Sequence, residues 1–95
     1  MGVLTLGLNH TTAPLDVRGR FAFAPGQLPP ALQSLRQWLE RAAAEAALLS
    51  TCNRTELYAA GEQSAVEPSL EWLAQTGGVS THVLKDHAYI LREGE

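Results

Sequence analysis

The chain has 95 residues, of which 45% are hydrophobic and 18% charged, and its net charge is −3. This length suits one domain with one modest core, and the composition is typical of a folded globular protein rather than a disordered one. The acidic balance and the lack of a basic stripe argue against broad phosphate-driven nucleic-acid binding, although contact with one short end of an RNA stays open.

The first half of the chain predicts one strand followed by two helices. Gly2 to Leu8 is rich in β-forming residues and runs into a polar loop, which indicates a strand. A short helix is predicted at about Pro14 to Phe21, and Thr12 could cap it. Leucines at helical spacing between Leu28 and Leu39 predict the longest helix, with Trp38 covering the edge of the core.

The second half predicts two more strands, a helix and a final strand. Glu45 to Thr51 contains a short continuous apolar run, which favours a central strand buried on both faces, although a helical continuation is the alternative. Cys52 to Ala60 alternates better and predicts the next strand. A helical stripe begins at Val66 and ends at the pair Gly77 and Gly78. A further helical turn and a last strand are predicted at Ser80 to Asp86 and Ala88 to Arg92.

The order of these elements predicts the fold class. Apart from the extra short helix, β-α-α-β-β-α-β is the split β-α-β pattern of an α+β, ferredoxin-like fold. The opening residues lack the basic region of a signal peptide, and the apolar runs are too short to span a bilayer, so we expect a cytoplasmic protein without a membrane anchor. We also expect the chain, residues 1–95, to be one domain of a longer protein.

The polar segment from Ser50 to Tyr58 directly follows the predicted buried strand and contains the only cysteine. If this segment is extended, Cys52 and Arg54 project to the same face, and a guanidinium near a thiol favours the reactive thiolate. The simpler alternatives are a buried, inert cysteine and a surface ion pair between Arg54 and Glu56. The residues alone leave both alternatives open.

The histidines and glycines show no sign of a metal or nucleotide site. His10, His82 and His87 lack the spacing of metal ligands, and one cysteine can form neither an internal disulfide nor a cysteine-rich zinc site. The chain also lacks a Gly-x-Gly-x-x-Gly or Walker pattern. We therefore expect no metal and no nucleotide cofactor to be bound by these 95 residues.

Two longer motifs resemble those of one enzyme family. Leu6 to Pro14 is similar to the opening motif G-[LIV]-[NS]-H-x-T-A-P of glutamyl-tRNA reductases, and Ser50 to Tyr58 is similar to their catalytic motif over its whole length. The resemblance extends over the remaining elements in the expected order. It implies the N-terminal catalytic domain, truncated at its C-terminal end. The NADPH-binding domain and the dimerisation domain of the family would lie outside this chain.

The resemblance also implies a reaction and the residues that perform it. The thiolate of Cys52 would attack the ester that joins glutamate to its tRNA. NADPH would then reduce the resulting thioester to glutamate 1-semialdehyde, the first step of tetrapyrrole biosynthesis. Thr51, Cys52, Asn53 and Arg54 match the substrate-binding stretch, and Arg54 suits a glutamate carboxylate because a guanidinium binds it bidentately. The implied partners are glutamyl-tRNA, a second subunit of a homodimer and glutamate-1-semialdehyde aminotransferase. His10, His82 and His87 receive no catalytic role.

Two other functions are compatible with the same fold. A non-catalytic ferredoxin-like module for regulation or binding would keep Cys52 buried and inert. An RNA-binding sheet would present exposed aromatic and basic residues, whereas the predicted strands hold few aromatic residues, Tyr58 the plainest of them, and the chain is acidic. We therefore rank the enzyme fragment first, the regulatory module second and the RNA-binding sheet last.

Overall fold

A computed structural model describes residues 2–39, 45–51, 53–61 and 65–93 of the chain. The described strands are β1 (Gly2–Asn9), β2 (Glu45–Ser50), β3 (Arg54–Gly61) and β4 (Tyr89–Glu93). The described helices are α1 (Leu15–Gly19), α2 (Leu28–Trp38), α3 (Val66–Gly77) and α4 (Thr81–His87), and a 3₁₀ turn at Pro25–Gln27 leads into α2. None of these helices is long and apolar enough to cross a membrane.

The four described strands form one sheet in the order β2-β3-β1-β4, and every pair of neighbours is antiparallel. It follows that β1 and β2 run in the same direction with β3 between them, and β3 and β4 run in the same direction with β1 between them. This arrangement is the split β-α-β pattern and confirms the predicted α+β, ferredoxin-like fold. The extra turn predicted before β4 is the full helix α4, which the Ser80 side chain caps by accepting a hydrogen bond from the backbone N–H of Val83 at 3.2 Å.

The prediction that Glu45 to Thr51 forms a central strand buried on both faces is wrong. Strand β2 lies at the edge of the sheet, where β3 is its one partner among the described strands, and its residues are exposed or half-buried. The central strands are β1 and β3, whose alternating sequences leave one face for the core. A run of alanine and leucine is apolar wherever it lies, so its composition does not indicate how many neighbours the strand has.

Two further predictions need correction. Pro14 occupies the N-cap position of α1 and no side chain caps this helix, because Thr12 instead uses its hydroxyl to accept from the backbone N–H of Asn9 at 3.0 Å. Trp38 is 47% exposed, since it lies beside rather than on the stripe of α2 that contains the buried Leu35. Trp72 is the buried tryptophan, and its indole N–H donates to the Ser34 hydroxyl at 3.1 Å.

The core lies between one face of the sheet and the helices. Alternate residues of β1 supply Leu4, Leu6 and Leu8, and their neighbours Leu57 and Ala59 in β3 extend the same face. Buried residues from the helices and the connecting segments add to this core, among them Phe21, Leu35, Leu39, Leu70, Trp72, Leu73 and Leu84. Each fully buried leucine or phenylalanine stabilises the fold by about 1.5–3 kcal/mol relative to an exposed one.

Residues that alternate with the core positions form the second face of the sheet. Val3 and Leu91 on this face are 45% and 56% exposed. The same face carries Gly7 and Asn9 from β1, Arg54, Glu56 and Tyr58 from β3, and Tyr89 from β4. The polar segment singled out in the sequence therefore reaches both the end of the sheet and its second face.

Candidate functional site

The connection between β2 and β3 is a tight turn organised by Thr51. The backbone N–H of Thr51 donates to the carbonyl of Arg54 at 2.8 Å. The Thr51 hydroxyl oxygen accepts from the backbone N–H groups of Asn53 and Arg54, each at 3.2 Å. Thr51 therefore shapes the turn. Cys52 lies outside the described residues, and the structure places its chain neighbours Thr51 and Asn53 at an exposed edge.

The side chain of Arg54 begins β3 and is 53% exposed. Its Nε lies 3.8 Å from Oε1 of Glu56, so the ion pair that the sequence suggested between residues two apart on one strand does form. At this distance the contact is electrostatic rather than a hydrogen bond. A guanidinium carries five N–H donors, so a contact through Nε leaves its two terminal nitrogens able to bind a further anion.

Glu56 is a carboxylate that is only 8% exposed. The hydroxyl of Tyr58 donates to its Oε1, and the hydroxyl of Tyr89 donates to its Oε2 at 2.5 Å. Burial acts to raise the pKa of Glu56, but the two tyrosine hydrogen bonds and the charge of Arg54 outweigh it and hold that pKa below its usual value. Glu56 is therefore ionised at neutral pH.

The two tyrosines respond in the opposite sense. The hydrogen bond to Glu56, followed by burial and the negative charge, raises the pKa of Tyr58. Burial, followed by the hydrogen bond to Glu56, raises the pKa of Tyr89 further. Both hydroxyls therefore stay protonated and act as donors, which keeps the buried carboxylate satisfied.

The loop after β1 is organised by Asn9. Its side-chain oxygen accepts from the backbone N–H of Thr11 at 2.9 Å, the Thr11 hydroxyl at 2.6 Å and the backbone N–H of Thr12 at 3.0 Å. This is an Asx-turn, a local structure for which asparagine is well suited. His10 sits in this loop as an exposed residue. His82 is likewise exposed, 4.0 Å from Asp86, and His87 contacts the carbonyl of Val83 at 3.1 Å.

A small cavity of about 100 Å³ opens beside the turn. It lies between the ends of β1 and β3 and the segment that contains α1. Its lining consists of Leu8, Leu15, Arg18, Gly19, Phe21, Ala22, Thr51, Arg54 and Thr55. The lining of the cavity is therefore mostly apolar and includes two arginines, Arg18 and Arg54.

Arg18 is a candidate that the sequence did not indicate. It lies in α1, its Nε donates to the carbonyl of Ala13 at 3.1 Å, and the residue belongs to the cavity lining. Arg18 and Arg54 are far apart in the chain, and neither helical nor strand spacing relates them. The one feature of the sequence that could have indicated Arg18 is its position as a basic residue in a short helix of low helical propensity.

Comparison with known proteins relates the whole chain to one family. The family model described as "Glutamyl-tRNAGlu reductase, N-terminal domain" matches residues 6–95. The glutamyl-tRNA reductase of Albidiferax ferrireducens is 61% identical over 93 residues, which is 98% of the chain and 22% of that protein. Those of a Polaromonas species (strain JS666) and of Pseudomonas putida are 58% and 50% identical, over 100% and 98% of the chain and over 22% and 21% of the relatives.

The chain belongs to the glutamyl-tRNA reductase family. It spans about a fifth of the length of the curated relatives it matches. The family assignment made from the two sequence motifs is therefore confirmed.

The sheet brings the two glutamyl-tRNA reductase motifs together. Asn9, at the end of β1, is paired with Arg54, at the start of β3, so the opening motif and the polar segment meet at one end of the sheet. Of the four residues predicted to bind substrate, Thr51 and Arg54 line the cavity, and Asn53 is an exposed member of the turn. Cys52, the fourth, lies outside the described residues.

The cavity beside Thr51 is too small for NADPH, the cofactor that the sequence resemblance implies. Pockets for drug-sized ligands usually measure about 300–1,000 Å³, well above the cavity beside Thr51. A groove on the second face, lined by residues including Val3, Ala47 and Tyr58, is shallow and open. Within residues 2–39, 45–51, 53–61 and 65–93, no three His, Cys, Asp or Glu side chains are grouped as metal ligands.

Proposed function

We propose that the whole protein containing this chain reduces glutamyl-tRNA to glutamate 1-semialdehyde, the first step of tetrapyrrole biosynthesis, and that this chain performs acyl transfer. The observation that carries the proposal is the turn from Thr51 to Arg54, which borders a small cavity whose lining includes Arg18 and Arg54. In sequence, Cys52 stands within this turn. A glutamyl ester requires a nucleophile together with a site for its side-chain carboxylate, and residues 51–54 carry both candidate groups in sequence.

The transfer step conserves atoms and charge. The Cys52 thiolate attacks the ester carbonyl carbon, a carbon–sulfur bond forms, and the bond from that carbon to the tRNA ribose oxygen breaks. The tRNA leaves and its ribose oxygen takes up a proton. NADPH, which would bind a part of the whole protein outside this chain, would supply the hydride that reduces the thioester.

Recognition of glutamate is the role proposed for Arg54. Because the α-carboxyl group of the glutamyl residue is esterified to tRNA, the side-chain carboxylate is the anion left to bind. The terminal nitrogens of Arg54 can hold it in a fork, with Thr51 and Asn53 shaping the turn around it. The cavity admits a group of this size and excludes a nucleotide.

The proposal extends to the partners and location of the whole protein. Its substrate would be glutamyl-tRNA, and its product, a reactive aldehyde, would pass to glutamate-1-semialdehyde aminotransferase. We expect a cytoplasmic homodimer formed through parts of the protein outside this chain. The RNA-binding alternative gains little from the second face of the sheet, because Tyr58 and Tyr89 are tied through their hydroxyls to the acidic Glu56.

The decisive experiment traps the acyl-enzyme. The full-length protein is mixed with tRNA carrying labelled glutamate, NADPH is withheld, and peptides are examined by mass spectrometry. A glutamyl adduct on Cys52 that disappears in Cys52→Ala supports the thioester route. No adduct, together with no semialdehyde when NADPH is added, contradicts it, and slow labelling of the thiol in the folded protein would then favour the regulatory module with an inert cysteine.

A further inference from the structure

The buried carboxylate of Glu56 lies in a row of residues that crosses three strands. Gly7 in β1 is paired with Glu56 in β3 on one side and with Tyr89 in β4 on the other. A Cβ atom built at Gly7 would lie 2.6 Å from Cζ and Oη of Tyr89 and 2.9 Å from Cγ of Glu56. The tyrosine ring therefore passes over Gly7 to reach the carboxylate, a path that only a residue without a side chain allows.

This arrangement restrains the position of Glu56 closely. Its two oxygens each receive one tyrosine hydroxyl, from Tyr58 on the same strand and from Tyr89 two strands away. Hydrogen bonds to an ionised carboxylate are about twice as strong as those between neutral groups. A buried carboxylate destabilises a fold unless it is fully paired, so an apolar residue would be the simpler choice at a position with a purely structural role.

The third contact of Glu56 is an ion pair with Arg54, and it places a fixed negative charge beside that guanidinium. Arg54 is 53% exposed, and its Nε lies 3.8 Å from Oε1 of Glu56. An exposed arginine loses considerable rotamer entropy when it must hold one geometry, and a fixed negative charge near its Nε reduces that loss. The terminal nitrogens of the same guanidinium can then meet a substrate carboxylate without first being ordered.

We propose that Glu56 is a positioning residue, which orients the Arg54 guanidinium for the side-chain carboxylate of the glutamyl group and is itself held by Tyr58 and Tyr89. The inference rests on the proposed role of Arg54 in binding that carboxylate. Glu56 does not touch the substrate and acts through Arg54. It therefore affects selectivity for glutamate over an uncharged analogue.

The test is a double-mutant cycle in the full-length protein with two substrates. Glu56→Gln, Arg54→Gln and the double variant are assayed with glutamyl-tRNA and with the same tRNA carrying glutamine, whose side chain is isosteric but uncharged. Glu56→Gln is expected to lower kcat/KM for the glutamyl ester about tenfold, to leave the glutaminyl ester within about twofold, and to add little in the Arg54→Gln background.

The controls separate positioning from folding. Tyr89→Phe removes one hydroxyl from Glu56 without touching Arg54, and a smaller loss selective for the glutamyl ester is expected. Glu67→Gln removes an exposed carboxylate that pairs with Lys85 at 3.3 Å, and unchanged kinetics are expected. Thermal unfolding of each variant shows whether a loss in kcat/KM follows from a loss of stability.

The outcomes distinguish this inference from the proposed function. Losses that are equal for both esters, or that add fully to those of Arg54→Gln, would show that Glu56 supports the fold alone and would overturn the inference. If Arg54→Gln leaves kcat/KM for the glutamyl ester unchanged, the carboxylate-binding role of Arg54 fails first, and the inference falls with it. If Glu56→Gln does not fold, Tyr89→Phe decides the matter. A Tyr89→Phe variant that uses both esters equally less well, or as well as the wild type does, would overturn the inference.

Discussion

The ring of Tyr89 in β4 lies over Gly7 in β1 and occupies the space that a side chain at position 7 would need. Gly7→Ala should therefore push the tyrosine away from Glu56 and destabilise the protein by about 1–3 kcal/mol, as overpacking of a tight site usually does. Urea unfolding gives the free energy directly. Gly19→Ala is the matched control, because a Cβ atom at that position would meet nothing within 4 Å, and little change is expected there. Equal stability of the two variants would contradict the close approach.

Arg54→Lys should weaken the use of glutamyl-tRNA by the full-length protein much more than it weakens folding. Lysine keeps the positive charge but loses the fork that holds a carboxylate bidentately, and about a tenfold loss in kcat/KM is expected. Arg36→Lys, on the exposed side of α2, tests for a general effect of replacing arginine. An unchanged kcat/KM in Arg54→Lys would exclude a bidentate contact.

Arg18→Gln should reduce kcat/KM for glutamyl-tRNA because Arg18 belongs to the lining of the same cavity as Arg54 and its positive charge adds to the attraction for an anion. A loss of about tenfold is the size expected for one charge-assisted contact. Arg20→Gln removes the same charge two residues later, from an exposed position that is not part of the cavity lining. Comparable losses in both variants would point to long-range charge and not to the cavity.

The stabilising effect of Glu56 should disappear in acid. Its pKa is lower in the folded protein than its ordinary value of 4.5, so ionised Glu56 stabilises the fold above that value, and this contribution is lost as the pH falls through the folded pKa. The difference in unfolding free energy between the wild type and Glu56→Gln, measured by urea at several pH values, should shrink as the pH falls below 4.5. A difference that is constant with pH would show that the charge of Glu56 does not contribute.

Local patterns in the sequence were sufficient to predict the secondary-structure elements and to recognise the family. The leucines from Leu28 to Leu39 predicted α2, the β-forming residues from Gly2 to Leu8 predicted β1, and together with the other segments they indicated the ferredoxin-like order. Two motifs identified the family. Periodicity and short motifs arise from residues that are neighbours in the chain, so they can be recognised without knowledge of any distant contact.

Contacts between distant residues required the folded chain. The edge position of β2 depends on which strands pair with β3, and the pairing of Asn9 with Arg54 depends on the register of β1 and β3. The hydrogen bond from Tyr89 to Glu56 and the shared cavity of Arg18 and Arg54 arise in the same way. Strand pairing is a property of the complete sheet, because a shift of one residue would turn each of these side chains to the opposite face.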